Sequence, residues 1–227
     1  MRPPAKAPAP VWHPSPNFGP RRDDAVPSLI VLHYTAMPAT EDALARLCDP
    51  AVEVSAHYLI SRRGRVYQLV DEAMRAWHAG AGRWQAVDDV NSHSIGIELS
   101  NDGAQPFPHP QMTALEALLA GVMARHALPP EAVIGHSDMA PGRKADPGAR
   151  FDWARLARQG LAAPGPDPAD DAPPPDAGRF RAWAGACGYT APADDATLLQ
   201  AVRLRHCPWN SGPLNAQDMA AVRPRAG

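Results

Sequence analysis

The stretch Gly135-His136-Ser137-Asp138-Met139-Ala140-Pro141-Gly142-Arg143-Lys144-Ala145-Asp146-Pro147-Gly148 packs a histidine, a lysine and an aspartate into one short loop. Two Pro-Gly steps stiffen it, because proline fixes φ and glycine admits the turns that other residues resist. His136 and Asp146 offer an imidazole nitrogen and a carboxylate oxygen, both good zinc ligands. Lys144 sits two residues before Asp146, close to any ion the aspartate holds without having to bind it. A loop this dense in ligand-type residues is a site rather than a connector. The fold must therefore bring further ligands to it.

An open catalytic metal site needs three protein ligands and a free position for water. The third is expected at the end of a rigid strand, and Leu29-Ile30-Val31-Leu32-His33-Tyr34-Thr35 provides one. Its four apolar residues read as a buried strand that ends at His33. A metal-bound water also needs a base. Ser94-Ile95-Gly96-Ile97-Glu98-Leu99-Ser100-Asn101 alternates as a strand does and turns Glu98 away from Ile97 and Leu99. A glutamate inside a strand is otherwise unfavourable, which makes Glu98 the candidate general base.

These segments, together with Ser55-Ala56-His57-Tyr58-Leu59-Ile60 and Arg75-Ala76-Trp77-His78-Ala79-Gly80, resemble the zinc-dependent N-acetylmuramoyl-L-alanine amidases of the type 2 family. They occur in the family's order and cover roughly residues 12 to 160. The resemblance implies one zinc per chain, with His33, His136 and Asp146 as ligands, Glu98 activating the zinc water and Lys144 stabilising the oxyanion. It also implies a peptidoglycan or muropeptide substrate, cleaved at the amide between the muramic acid lactyl group and L-alanine in cell-wall turnover or recycling. Trp77, His78, Arg75 and Asn101 become candidates for contact with substrate.

Phage lysozyme relatives carry a tyrosine before the histidine of the second segment, where this chain has Ala56, and a cysteine as third ligand, where it has Asp146. Both differences favour the AmpD- and AmiD-like branch and the Glu98 route. Two other function classes remain open at this point. A non-catalytic peptidoglycan receptor would share the fold, and a zinc peptidase acting on stem peptides would share the chemistry. The receptor usually lacks a full ligand set, and no His-Glu-x-x-His helix supports the peptidase.

The chain has 227 residues, room for one ordinary domain plus a small appendage. A net charge of −2 gives no strong pull on nucleic acid or anionic lipid, and no apolar run approaches the roughly 20 residues of a membrane helix. The Pro-rich N-terminus lacks the apolar core of a signal peptide, which points to the cytoplasm, with the cell envelope as the alternative. Three cysteines make no disulfide framework, although Cys187 and Cys207 could pair. The chain is expected to be monomeric.

The fold expected is α/β, a central mixed sheet flanked by helices. Four parts are expected: a Pro-rich arm over 1–20, a catalytic domain over 21–163, a Pro/Asp-rich linker over 164–176 and a small helical segment over 177–227. Thr40 is placed to cap a first helix. Arg62-Arg63-Gly64-Arg65 marks a hairpin, and Pro110 opens a long helix with Met112, Leu115, Leu119, Val122 and Met123 on one face. Three short helices are expected over Arg179–Gly185, Ala193–Arg205 and Asn215–Val222, similar to a peptidoglycan-binding domain or simply docked on the catalytic domain.

Overall fold

The structure is a computed structural model that describes residues 9–165 and 173–224. Its centre is a six-stranded mixed sheet of strands β1 (Val11–Trp12), β3 (Leu29–Tyr34), β4 (Tyr58–Ile60), β5 (Val66–Gln68), β7 (Ser94–Leu99) and β8 (Val133–Gly135), in the order β1-β5-β4-β7-β3-β8. Strands β4, β7, β3 and β8 run parallel, and the expected hairpin makes β5 antiparallel to β4. A two-stranded ribbon of β2 (Phe18–Pro20) and β6 (Met74–Ala76) lies apart. The helices are α1 (Thr40–Cys48), α2 (Val90–His93), α3 (His109–His126), α4 (His136–Met139), α5 (Trp153–Ala157), α6 (Ala177–Cys187), α7 (Asp195–His206) and α8 (Ala216–Ala221).

Strand periodicity sorts the side chains onto two faces. Ile30, Leu32, Ile95, Ile97 and Leu99 point to one face, where Met112, Leu115, Leu119, Val122 and Met123 of α3 cover them. Leu29, Val31 and Ile134 point to the other, against Phe180, Leu198, Val202 and Met219 of the three C-terminal helices. Those helices thus complete one half of the core. Fifty residues bury too little apolar surface to stand alone comfortably, and here they share the sheet's. His33 has the parity of Leu29 and Val31, and Glu98 is opposite in parity to Ile97 and Leu99, so both stand on this second face. The register of β3 and β7 pairs His33 directly with Glu98.

The structure corrects several expectations. Residues 11–12 and 18–20, assigned to the arm, are strands β1 and β2; Ser15 and Asn17 are buried, and the Ser15 hydroxyl donates to the Leu47 carbonyl. Residues 1–8 and 166–172, most of the expected linker, lie outside the described residues. Thr40 opens α1 rather than capping it; its hydroxyl donates to Ser100 Oγ at 2.9 Å, while Ala39 occupies the cap position. Helix α3 starts at His109, one residue before the expected Pro110, with Pro108 at the cap position. Cys187 and Cys207 are not joined in a disulfide; their thiols face the Val222 and Gln217 carbonyls.

Candidate active site

His33 is the penultimate residue of β3 and His136 opens α4 immediately after β8, so two adjacent parallel strands deliver both imidazoles to the same end of the sheet. Asp146 returns along the Pro-Gly loop, where the Ser137 N–H donates to its carbonyl at 2.9 Å. The three side chains converge and are buried, with exposures of 1%, 2% and 7%. His33 Nδ1 lies 2.9 Å from His136 Nδ1 and 2.9 Å from Asp146 Oδ2, and His136 Nδ1 lies 3.0 Å from the same oxygen. Among the described residues this is the cluster of donor atoms able to hold a metal ion.

Electrostatics make the cluster cation-seeking. Burial lowers the His33 pKa to about 4, with His136 acting in the same direction. Burial pushes the Asp146 carboxyl up, but His136 and His33 more than offset it, and its pKa falls well below the usual range. At neutral pH a carboxylate therefore faces a neutral His33. The donor set, two imidazoles and one carboxylate, suits zinc and leaves a position for water.

The cluster floors a cleft of about 420 Å³ whose walls include Arg46 and Leu47 of α1, Trp77, Glu98, Arg143 and Lys144. Glu98 is half-buried, and its Oε2 is buried without a hydrogen-bond partner. Burial and then Asp146 raise its pKa to about 8, against the opposing effect of Lys144. A cation on the donor cluster would act on Glu98 in the same sense as Lys144. An unpaired buried carboxyl is costly, which marks Glu98 as a group kept for chemistry. Lys144 is exposed at the cleft.

The other candidates divide. Trp77 and His78 line the cleft. Arg75 does not: its guanidinium donates to Ser92 Oγ and Asp89 Oδ1, both at 3.1 Å, and so serves the ribbon and α2. Asn101 is fully buried away from the cleft, where its Oδ1 accepts from the Gly103 N–H at 2.8 Å. Sequence reasoning missed Arg143, which donates to the carbonyls of Ala79 and Ala81 and so ties the donor loop to the opposite wall. It also missed Asp138, fully buried, which accepts from Gly135 N–H and Arg205 at 2.7 Å each and from the Tyr189 hydroxyl at 3.1 Å. Asp138 sits inside the motif itself, but its side-chain partners Tyr189 and Arg205 lie more than 50 residues away and leave no local signal.

Comparison with known proteins bears directly on this site. The family pattern described as N-acetylmuramoyl-L-alanine amidase matches residues 23–149, which include all three donor residues, Glu98 and Lys144. The chain belongs to this family. It is 38% identical over 188 residues to the N-acetylmuramoyl-L-alanine amidase AmiD of Escherichia coli strain K12, a match covering 76% of this chain and 63% of that relative. It is 36% identical over 159 residues to the 1,6-anhydro-N-acetylmuramyl-L-alanine amidase AmpD of Haemophilus influenzae, covering 62% of this chain and 86% of AmpD. The fold matches the solved complex of E. coli AmiD with anhydro-N-acetylmuramic acid-L-Ala-D-gamma-Glu-L-Lys at a TM-score of 0.79 and 34% identity, covering 88% of this chain and 89% of that one. That coverage reaches into the C-terminal helices, which the AmpD match does not need. No helix among the described residues is long and apolar enough to cross a membrane.

Proposed function

We propose that this protein is an N-acetylmuramoyl-L-alanine amidase that hydrolyses the amide between N-acetylmuramic or anhydro-N-acetylmuramic acid and L-alanine in peptidoglycan fragments. The observation that carries the reading is the convergence of His33 Nδ1, His136 Nδ1 and Asp146 Oδ2 within 3.0 Å at the floor of an open cleft. The relatives' substrates support the choice of bond. A zinc ion held by these three residues supplies a water of pKa about 7 and polarises the amide carbonyl.

This chain's own groups account for the remaining steps. Glu98, on the strand beside His33, takes the proton of the attacking water and returns it to the departing alanine amine. Its unpaired Oε2 leaves an acceptor free for that proton. Lys144, at the mouth of the same cleft, faces the negative charge that develops on the carbonyl oxygen. Arg46 and Trp77 on the cleft walls offer a cation and an aromatic face to the stem peptide and sugar.

Zinc analysis of the purified protein, followed by incubation with defined anhydro-muropeptides and mass spectrometry of the fragments, tests the proposal. The expected products are the free muramyl sugar and a peptide beginning with L-alanine, with about one zinc per chain. Cleavage confined to bonds within the peptide, or none from the zinc-loaded protein, contradicts it.

A further inference from the structure

The two histidines of the donor cluster can serve a cation only if their Nδ1 atoms carry no proton, and the hydrogen-bond chain behind them decides this. The Ser94 hydroxyl has one proton and places it on the Val90 carbonyl, 2.5 Å away. Toward His78 Nε2, at 3.2 Å, Ser94 Oγ must therefore accept, which puts the His78 proton on Nε2. His78 Nδ1 is then a bare acceptor, 3.0 Å from His33 Nε2. His33 consequently carries its proton on Nε2 and presents Nδ1 to the cluster. His136 Nε2 lies 2.8 Å from the Ala79 carbonyl, which can only accept; Arg143 Nη2, a donor, is farther from Nε2 at 3.4 Å and itself donates to that carbonyl at 2.7 Å, so the carbonyl holds His136 in the same tautomer.

Two consecutive residues, His78 and Ala79, thus receive the outward protons of both histidines. Their own positions are fixed as a pair: the backbone N–H groups of both donate to Asn91 Oδ1, at 3.0 and 2.9 Å. The chain turns away at Gly80, whose φ of +61° favours glycine. The His78 ring occupies a nest made by Gly96 of β7, where a Cβ would come within 2.5 Å of His78 Cγ. We infer that His78 is a positioning residue: with the Ala79 carbonyl beside it, it fixes the tautomer of both donor histidines so that each offers a bare Nδ1 to the ion. The inference rests on the metal-binding reading proposed above. It assigns His78 a role behind His33 rather than against substrate.

Two measurements test it. Long-range ¹H–¹⁵N spectra of the zinc-free protein should show His33 and His136 protonated on Nε2 and bare on Nδ1; an Nδ1-protonated ring at either position overturns the inference. Zinc affinity, read by competition with a chromophoric chelator, should weaken roughly 10–100-fold in His78→Leu. Affinity should recover in His78→Asn, whose carboxamide oxygen can replace the Nδ1 acceptor. A folded His78→Leu with wild-type zinc affinity overturns it. Ser94→Ala keeps the ring and nearly the volume, and carries the test if the leucine variant does not fold: the expected result is a mixture of His33 tautomers, and an unmixed Nε2–H form counts against the chain of inference. A wild-type protein with these tautomers that binds no zinc overturns the metal reading instead.

Discussion

Two buried aspartates lie eight residues apart, one in α4 and one on the loop that follows it, and live in opposite surroundings. Asp138 has every demand met: Gly135 N–H and Arg205 bond one oxygen and the Tyr189 hydroxyl the other. Arg205 is itself buried, bonds the Val133 carbonyl at 3.0 Å and stacks on Trp153 with its guanidinium carbon 4.1 Å from the ring centre. Asp146 instead meets only the two imidazole nitrogens of the donor cluster, at 2.9 and 3.0 Å from one oxygen. Beside it Glu98 has an oxygen with no partner at all. The first carboxylate is finished by the protein and holds the loop against the C-terminal helices. The second is left unfinished, and needs a cation. Of the buried polar atoms left without a partner among the described residues, Glu98 Oε2 is the one whose residue lines the cleft beside the donor cluster.

Exchanging the roles of the two aspartates should have opposite consequences. Asp146→Ala is expected to reduce bound zinc from about one per chain to almost none. Amidase turnover should drop by far more than the ~100-fold that loss of a supporting contact gives, while the metal-free protein, which loses the contacts of Asp146 with His33 and His136, should lose less stability than it does in Arg205→Leu. Atomic absorption with a muropeptide assay and calorimetry reads all three, and a marked loss of metal-free stability would erase the distinction. Arg205→Leu should do the reverse. It strands the Asp138 charge in the core at a cost of about 3–5 kcal/mol, measured by denaturant unfolding. Asp138→Asn combined with Arg205→Met should restore much of the loss; a stable single variant would show that the clamp is ornamental.

Lys144→Ala separates the charge at the cleft mouth from both aspartates. Zinc content and stability should be unchanged and turnover should fall roughly 10²–10³-fold, the loss seen when one preorganised donor to an oxyanion is removed. Near-normal turnover would remove Lys144 from the mechanism.

The smallest effect concerns a third satisfied group, His57. Its Nδ1 accepts from the Gly96 N–H at 3.0 Å and its Nε2 donates to the Met74 carbonyl at 3.0 Å, so the folded site holds the neutral ring. Burial lowers its pKa to about 4. The unfolded imidazole takes up a proton near pH 6.5, and between there and pH 4 the unfolded state alone binds it. Stability from this residue is therefore complete above pH 6.5 and lost as the pH falls toward 4, at up to about 1.4 kcal/mol per pH unit. Comparing the pH dependence of unfolding for the wild type and His57→Gln isolates it, and identical slopes would contradict the neutral-ring assignment.

The same contrast explains what was legible in the sequence. The donor residues could be read because their types, the Pro-Gly steps and the strand ends are local, and Glu98 stood out as a charge in an apolar alternation. The mixed sheet, the β4–β5 hairpin and the apolar face of α3 follow from periodicity in the same way. Arg75 and Asn101 looked like substrate groups because only their chemistry was visible; Asp89 already engages the first, and the second is buried outside the cleft lining. The Asp138 clamp joins positions 138, 189 and 205, and the His78 chain joins 33, 78, 90 and 94, so neither exists until the sheet is assembled. Strand β1 was hidden because two residues, Val11 and Trp12, are too few to show a period.

Anomalous diffraction at the zinc edge from crystals grown with the metal is the most direct measurement of all. The expected map has a single strong peak between His33 Nδ1, His136 Nδ1 and the Asp146 carboxylate, with a solvent oxygen completing the coordination on the cleft side. A peak elsewhere, or none at full zinc loading, would contradict the proposal that these side chains hold the catalytic ion.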